Sequence, residues 1–252
     1  MGSHRIGRYG DHPDQYVEFM PADGPRRGVA VLVHGGYWRE RHTLELMRPF
    51  ALGLAAAGWE VANVEYRRGP GAAWPVPLED VRAACVLADA ARRAPGRDQR
   101  EGPAGPLIGI GHSVGGQLAL LAGRPLDAVV ALAPVTDTAR THAEALGEGA
   151  AEEYFGGGPV DDPARYADAS PIARLPLGRP ALLVHGGDDD RVPVRHTLDF
   201  LAAALESGDA VDAVLPHRLG HREAIEPGNA SWPGMLEWLE RLQESGARTP
   251  RA

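Results

Sequence analysis

The chain has 252 residues, 44% hydrophobic and 24% charged, with 34 acidic against 26 basic side chains and a formal net charge of −8. That length suits one sizeable domain, and the composition is that of a globular protein. The acidic balance argues against a nucleic-acid partner, which needs a basic footprint, and no run of about eighteen apolar residues is present to span a membrane.

In chain order, the opening residues 1–9 are charged and lack the apolar stretch of a signal peptide, so a cytoplasmic protein is expected. Residues 16–19 read as an early antiparallel strand. A continuous apolar run over 29–33 is the first strong strand, followed by a helical pattern at 43–57, a strand at 61–64 and a helix at 78–93. Cys85, the only cysteine, falls inside that helical pattern; no intramolecular disulfide can form, and the thiol reads as buried and inert. Residues 94–106 are too rich in Gly, Pro and charge to pack and are expected to loop.

A strand at 107–110, a helix at 114–123 and a strand at 128–132 resume the rhythm. Residues 135–179 interrupt it with short helical pieces and a Gly156-Gly157-Gly158 turn, as a lid-like insertion would. A strand at 181–184, a helix at 194–206, a last strand at 211–215 and a helix at 232–243 complete the alternation. Short apolar runs of this kind are strands covered on both faces, and their alternation with helices predicts a mostly parallel sheet built from right-handed βαβ units. The expectation is a single α/β domain over 1–244, with a disordered tail over 245–252.

The chemistry concentrates at predicted strand ends, where ligands collect in open α/β sheets. Gly111-His112-Ser113-Val114-Gly115 stands between a strand and a helix and reads as a nucleophile elbow. A serine hydroxyl must be presented to a base at a sharply bent point, and the flanking glycines allow strand and helix to approach. With 32 Gly and six Ser in the chain, the pattern arises by chance roughly 0.1 times, so its placement carries the weight.

His34-Gly35-Gly36-Tyr37-Trp38 follows the first strong strand, and its glycines let backbone N–H groups turn toward an oxyanion. The expected donors are Gly36 or Tyr37 together with Val114. His34 itself reads as a structural hydrogen-bonding residue beneath the loop. After the strand at 181–184, Asp188, Asp189 and Asp190 compete for the role of orienting acid. After the last strand, Gly220 permits a turn that swings His221 back over Ser113. His217, four residues earlier, is the rival base, too close to the strand end to reach freely. The remaining histidines form no metal-ligand cluster, and neither a metal nor a cofactor is expected.

These residues together resemble an α/β-hydrolase, particularly the small serine carboxylesterases and the arylformamidases, over about residues 27–240. His34 to Trp38 resembles the formamidase H-G-G-x-W loop. Glu65-Tyr66-Arg67 with Pro75, Pro77 and Asp80 resembles a Y-R…P…D stretch of esterases, and Ala169-Ser170-Pro171-Ile172 a segment that precedes the acid strand. The H-G-x-x-D-x-x-V-P pattern over 185–193 places the acid on Asp189, and the G-H pattern places the base on His221. The resemblance implies an α/β-hydrolase fold with helices on both sheet faces. It also implies a triad of Ser113, Asp189 and His221 and cleavage of a small carboxylic ester or aryl amide through an acyl-enzyme. Tyr37, Trp38 and Trp74 could form an aromatic wall for a flat substrate, although each Trp also suits plain core packing. Arg67 and Arg68 are expected to be salt-bridged on the surface rather than to anchor a carboxylate. A catalytically inactive binding module and a small serine exopeptidase are the alternatives. The partner expected is a small molecule, with a homodimer compatible with the reading.

Overall fold

The computed structural model describes residues 5–94 and 105–248. Eight strands form one sheet in the order β1-β2-β4-β3-β5-β6-β7-β8: β1 Arg5–Arg8, β2 Tyr16–Met20, β3 Val29–Val33, β4 Glu60–Glu65, β5 Leu107–His112, β6 Ala128–Leu132, β7 Ala181–Val184 and β8 Val211–Val214. β2 pairs antiparallel with both β1 and β4, and every pairing from β4 to β8 is parallel. The register pairs Val33 with Gly111 and His112 with Leu132, which brings the ends of the central strands level at the elbow.

The alternation of side chains explains the two-sided covering. Val29, Val31 and Val33 of β3 enter one core with Leu118 of α3 (Val114–Ala122), Cys85 of α2 (Val76–Arg92) and Phe200 of α7 (Arg195–Glu206). Ala30 and Leu32 enter the opposite core with Phe50 of α1 (Arg48–Ala56) and Trp238 of α8 (Trp232–Arg248). A strand buried on both faces therefore has no polar position to spare, as its continuous apolar run required.

Three differences from the sequence expectations have local causes. β1 was not foreseen, because its one large apolar residue, Ile6, is exposed and the strand shows no alternation. The last helix continues through Arg248, so the first four residues of the expected tail 245–252 are helical. Residues 95–104 of the expected 94–106 loop, and 249–252 of the tail, lie outside the described residues. The segment 135–179 folds as α4 Thr138–Ala143, α5 Leu146–Phe155 with a left-handed kink at Gly147, Glu148 and Gly149, α6 Pro163–Asp168 and a 3-10 turn Pro171–Arg174, with no strand. Among the described residues no helix is long and apolar enough to cross a membrane.

Candidate active site

Four strand ends meet at the carboxyl edge of the sheet: the loops after β3, β5, β7 and β8 carry His34–Trp38, Ser113, Asp189 and His221 respectively. Ser113 joins β5 to α3 with φ 56° and ψ −120°, a region that a residue with a Cβ occupies only under constraint. The constraint is visible. Its N–H donates to the Leu132 carbonyl at 2.9 Å, and its own carbonyl accepts from Gly116 N at 2.9 Å. A Cβ on Gly111 would collide with the Gly115 carbonyl, and one on Gly115 with the Val33 carbonyl. Glycine at both positions is thus a steric requirement of the close strand–helix crossing.

The acid loop is built around one carboxylate. Asp189 Oδ1 accepts from the N–H groups of Arg191 at 2.8 Å and Val192 at 2.9 Å. Its Oδ2 meets His221 Nδ1 at 2.7 Å and His185 Nε2 at 3.1 Å. His185 is fully buried and held in turn, with Nε2 2.8 Å from the Val192 carbonyl and Nδ1 2.7 Å from Thr197 Oγ1. Burial would raise the Asp189 carboxyl. The hydrogen bonds from His185 and His221, with the His221 charge and the Val192 N–H, outweigh it and hold the group far below the usual carboxylate range. Asp189 therefore stays ionised, and Asp188 and Asp190 make no such contacts.

His221 is buried, while its rival His217 is exposed. Because His221 Nδ1 faces an ionised carboxylate it carries the proton, leaving Nε2 as the basic nitrogen. Ser113, His221, Gly36 and Tyr37 line one cleft of about 290 Å³. His217 does not border it. A second cleft of about 420 Å³, shared at Tyr37, Arg39, Arg41 and Glu148, extends away past Gly69 and Tyr154.

The loop after β3 turns inward through three successive positive φ values, at Gly36 (125°), Tyr37 (51°) and Trp38 (58°). It lies so close to the elbow that a Cβ on Gly35 would sit 2.8 Å from Ser113 Cβ. Val114 opens α3 and has no carbonyl four residues back within the helix, so its N–H is available to another acceptor. Tyr37 donates its hydroxyl to the Arg191 carbonyl at 2.8 Å. Burial, with Asp189 adding, pushes its phenol up to about 12.

His34 is fully buried, its ring 4.4 Å from that of Tyr66, with Nδ1 2.8 Å from the Gly35 carbonyl and Nε2 3.1 Å from Glu65 Oε1. It braces the loop from below. Arg67 binds Asp80 through its backbone N–H and its guanidinium at 2.8–3.0 Å, which accounts for the Y-R…D spacing. Arg68 pairs with Glu65, but in the interior rather than on the surface.

The aromatic wall needs correction. Of the three, only Tyr37 lines the Ser113 cleft, and Trp38 borders the adjoining one. Trp38 is buried, with its ring stacked 5.2 Å from Tyr154 and its indole N–H donated to Gln117 at 3.2 Å. Trp74 donates to Asp168 at 2.7 Å and packs beside Phe155. The positive φ at Trp38 turns its side chain to the core, where residues of the 135–179 segment cover it.

Sequence reasoning missed His112. This buried residue donates from Nε2 to the His221 carbonyl at 3.0 Å, and its ring lies 4.5 Å from the His221 ring. Burial, then the nearby His221 charge, pull its pKa well below the ordinary imidazole value, so it stays neutral. Its only linear signal was its place inside the pentapeptide.

The model of the prolyl oligopeptidase family matches residues 106–242, and a second, BD-FAE, matches residues 19–127. Esterase LipC of Mycobacterium tuberculosis is 29% identical over 219 residues, which cover 77% of this chain and 53% of LipC. The chain thus spans about half the length of that curated relative. A truncated carbohydrate esterase from gut microbiota superposes with a TM-score of 0.79 at 16% identity, covering 96% of this chain and 97% of that one. Esterase B from Lactobacillus rhamnosis gives 0.77 at 19% identity, covering 97% and 88%. At such identities the likeness concerns the fold.

Proposed function

This chain belongs to the prolyl oligopeptidase family, within the α/β-hydrolases, and on that premise we propose that it is a serine hydrolase of small carboxylic esters or aryl amides. The observation that carries the reading is the Asp189–His221 hydrogen bond of 2.7 Å at a cleft that Ser113 also lines. His221 Nε2 takes the Ser113 proton as the hydroxyl oxygen attacks the acyl carbon, and Asp189 holds the tautomer and stabilises the imidazolium. The N–H groups of Val114 and of Gly36 or Tyr37 receive the oxyanion. The leaving alcohol or amine takes the proton from His221, and water repeats the cycle to release the acid.

Two further points support a small acyl group. The cleft of about 290 Å³ is at the small end of ligand sites, roughly 300–1,000 Å³. The adjoining 420 Å³ offers room for the leaving group. The family is named for a peptidase, whereas LipC and the structural neighbours above are named esterases; all these reactions use the same acyl-enzyme chemistry. Tyr37 at the cleft supports a formamidase-type substrate with a flat ring.

The test is fluorophosphonate labelling of wild type and Ser113→Ala, followed by turnover of p-nitrophenyl acetate, N-formylkynurenine and a dipeptidyl anilide. Labelling confined to the wild type, with ester or formamide turnover, is expected. A wild type that neither labels nor turns over any of the three would favour a binding module. Turnover retained in Ser113→Ala would refute the mechanism.

A further inference from the structure

The Ser113 cleft carries a charge pattern opposite to that of the acidic chain. Its lining includes Arg39, Arg41, Arg191 and Arg222 with one carboxylate, Glu148, and the ionised Asp189 lies directly behind His221. Two of the arginines are occupied to different degrees. Arg39 pairs with Glu153 at 2.6 Å and donates to the Gly147 carbonyl at 2.9 Å. Arg191 has Asp190 loosely beside it at 3.7 Å, with both side chains exposed. Among the described residues, Arg41 and Arg222 make no salt bridge, although Glu153, already paired with Arg39, also feels the Arg41 charge. Arg41 Nε donates instead to His42 Nε2 at 3.2 Å.

His42, in the same lining, senses both cations. Burial first, then Arg41, with His34, Arg222 and Arg39 adding, lowers its pKa, so it is a neutral group between positive ones. Arg67 and Arg68 offer no competing anchor, because Asp80 and Glu65 hold them. A concave wall of one sign concentrates oppositely charged ligands, and guanidinium forks match carboxylate oxygens.

We propose that Arg41 and Arg222 form a carboxylate subsite beside Ser113, so that the preferred substrates are esters or amides bearing a carboxylate near the scissile acyl carbon. Hemiesters of short dicarboxylic acids are the simplest examples. The proposal rests on the hydrolase reading above and narrows it to an anionic substrate class. Hydrolysis of such a hemiester consumes one water and releases the alcohol, the dicarboxylate dianion and one proton, with Ser113 regenerated.

The test compares monoethyl succinate with ethyl succinamate, its uncharged isostere. Because each exposed charge pair contributes only a fewfold factor, the hemiester should show roughly tenfold higher kcat/KM, mainly through KM. That ratio should shrink severalfold as sodium chloride rises from about 0.02 M to about 0.5 M. In Arg41→Gln/Arg222→Gln the ratio should collapse toward about one, with Arg41→Lys/Arg222→Lys restoring part of it. Equal kcat/KM for the two esters, or a ratio indifferent to the double substitution, would overturn the subsite. If wild type turns over neither ester, fluorophosphonate labelling and p-nitrophenyl acetate turnover decide the hydrolase reading, and calorimetry of the hemiester with Ser113→Ala decides the subsite separately. Binding that Arg41→Gln/Arg222→Gln abolishes upholds it; no binding overturns it.

Discussion

Replacing Asp189 by asparagine exchanges one oxygen for an NH2 group, and the contacts around the carboxylate determine where that group must go. Oδ1 accepts two backbone N–H groups, from Arg191 and Val192, so the amide carbonyl has to remain on that side. The NH2 then faces His221 Nδ1 and His185 Nε2. His185 cannot adapt, because its Nε2 also meets the Val192 carbonyl, which only accepts. One donor is thus set against another in a buried site, at a cost of about 1–3 kcal/mol of stability. Toward His221 the amide donates to Nδ1, which drives the ring proton onto Nε2 and removes the lone pair that Ser113 needs. The wrong tautomer costs about 10⁴ in kcat, or about 5 kcal/mol of barrier. The assay is steady-state turnover of p-nitrophenyl acetate together with the rate of fluorophosphonate labelling, with near-UV circular dichroism to show that the fold persists. A folded Asp189→Asn enzyme whose kcat lies within about tenfold of wild type would refute the assignment of the acid.

Three other outcomes are expected. His221→Ala should lower kcat by about 10⁴ or more while His217→Ala, at an exposed position away from the cleft, stays within about twofold; the reverse pattern would transfer the base. Gly115→Ala should lose about 3 kcal/mol in urea unfolding because its methyl group meets the Val33 carbonyl. Gly71→Ala, with open space around the added methyl, should stay within about 0.5 kcal/mol, and equal losses would discount the steric argument. Buried His112 is held neutral, with a folded-state pKa below the unfolded value of about 6.5. Its stabilisation is present above that pH and is lost as the pH falls, by up to about 1.4 kcal/mol per pH unit. Between about pH 6.5 and 5, wild type should therefore lose stability more steeply than His112→Gln, and matching slopes would contradict the reading.

Much of the frame is legible in the sequence because two-sided burial leaves a strong linear trace. The run 29–33 reads as a covered strand since both of its faces enter cores. Ser113 and its glycines are legible for a similar reason: the close crossing excludes a Cβ at Gly111 and Gly115 whatever the neighbours are. The two tryptophans mislead because position next to a strand end does not determine side-chain direction. The turn at Trp38 and the arrival of Tyr154 from more than a hundred residues away place the indole in the core. Arg41 and Arg222 leave no motif at all, since they come from loops 181 positions apart and matter only through the cleft that both line.

A feature that composition cannot reveal links the fold to the chemistry. Among the described residues, the left-handed non-glycine ones are Tyr37, Trp38, Ser113, Ala133, Ala145 and Glu148. Tyr37, Ser113 and Glu148 border the Ser113 cleft, and Trp38 borders the adjoining one. Each such conformation costs about 1–2 kcal/mol, so these loops do not hold their shape by local preference. What holds them lies beneath: the buried Trp38 ring with its bond to Gln117, the His34–Glu65–Arg68 network, and the Ser113 N–H fixed to Leu132. Weakening one of these supports would let a loop relax toward ordinary φ values, moving the backbone N–H groups of the Gly36–Tyr37 turn away from the elbow. On this argument Gln117→Ala, which reaches no reacting atom and leaves the Trp38 indole N–H unpaired, impairs turnover by displacing the proposed oxyanion donors, with kcat falling and KM nearly unchanged.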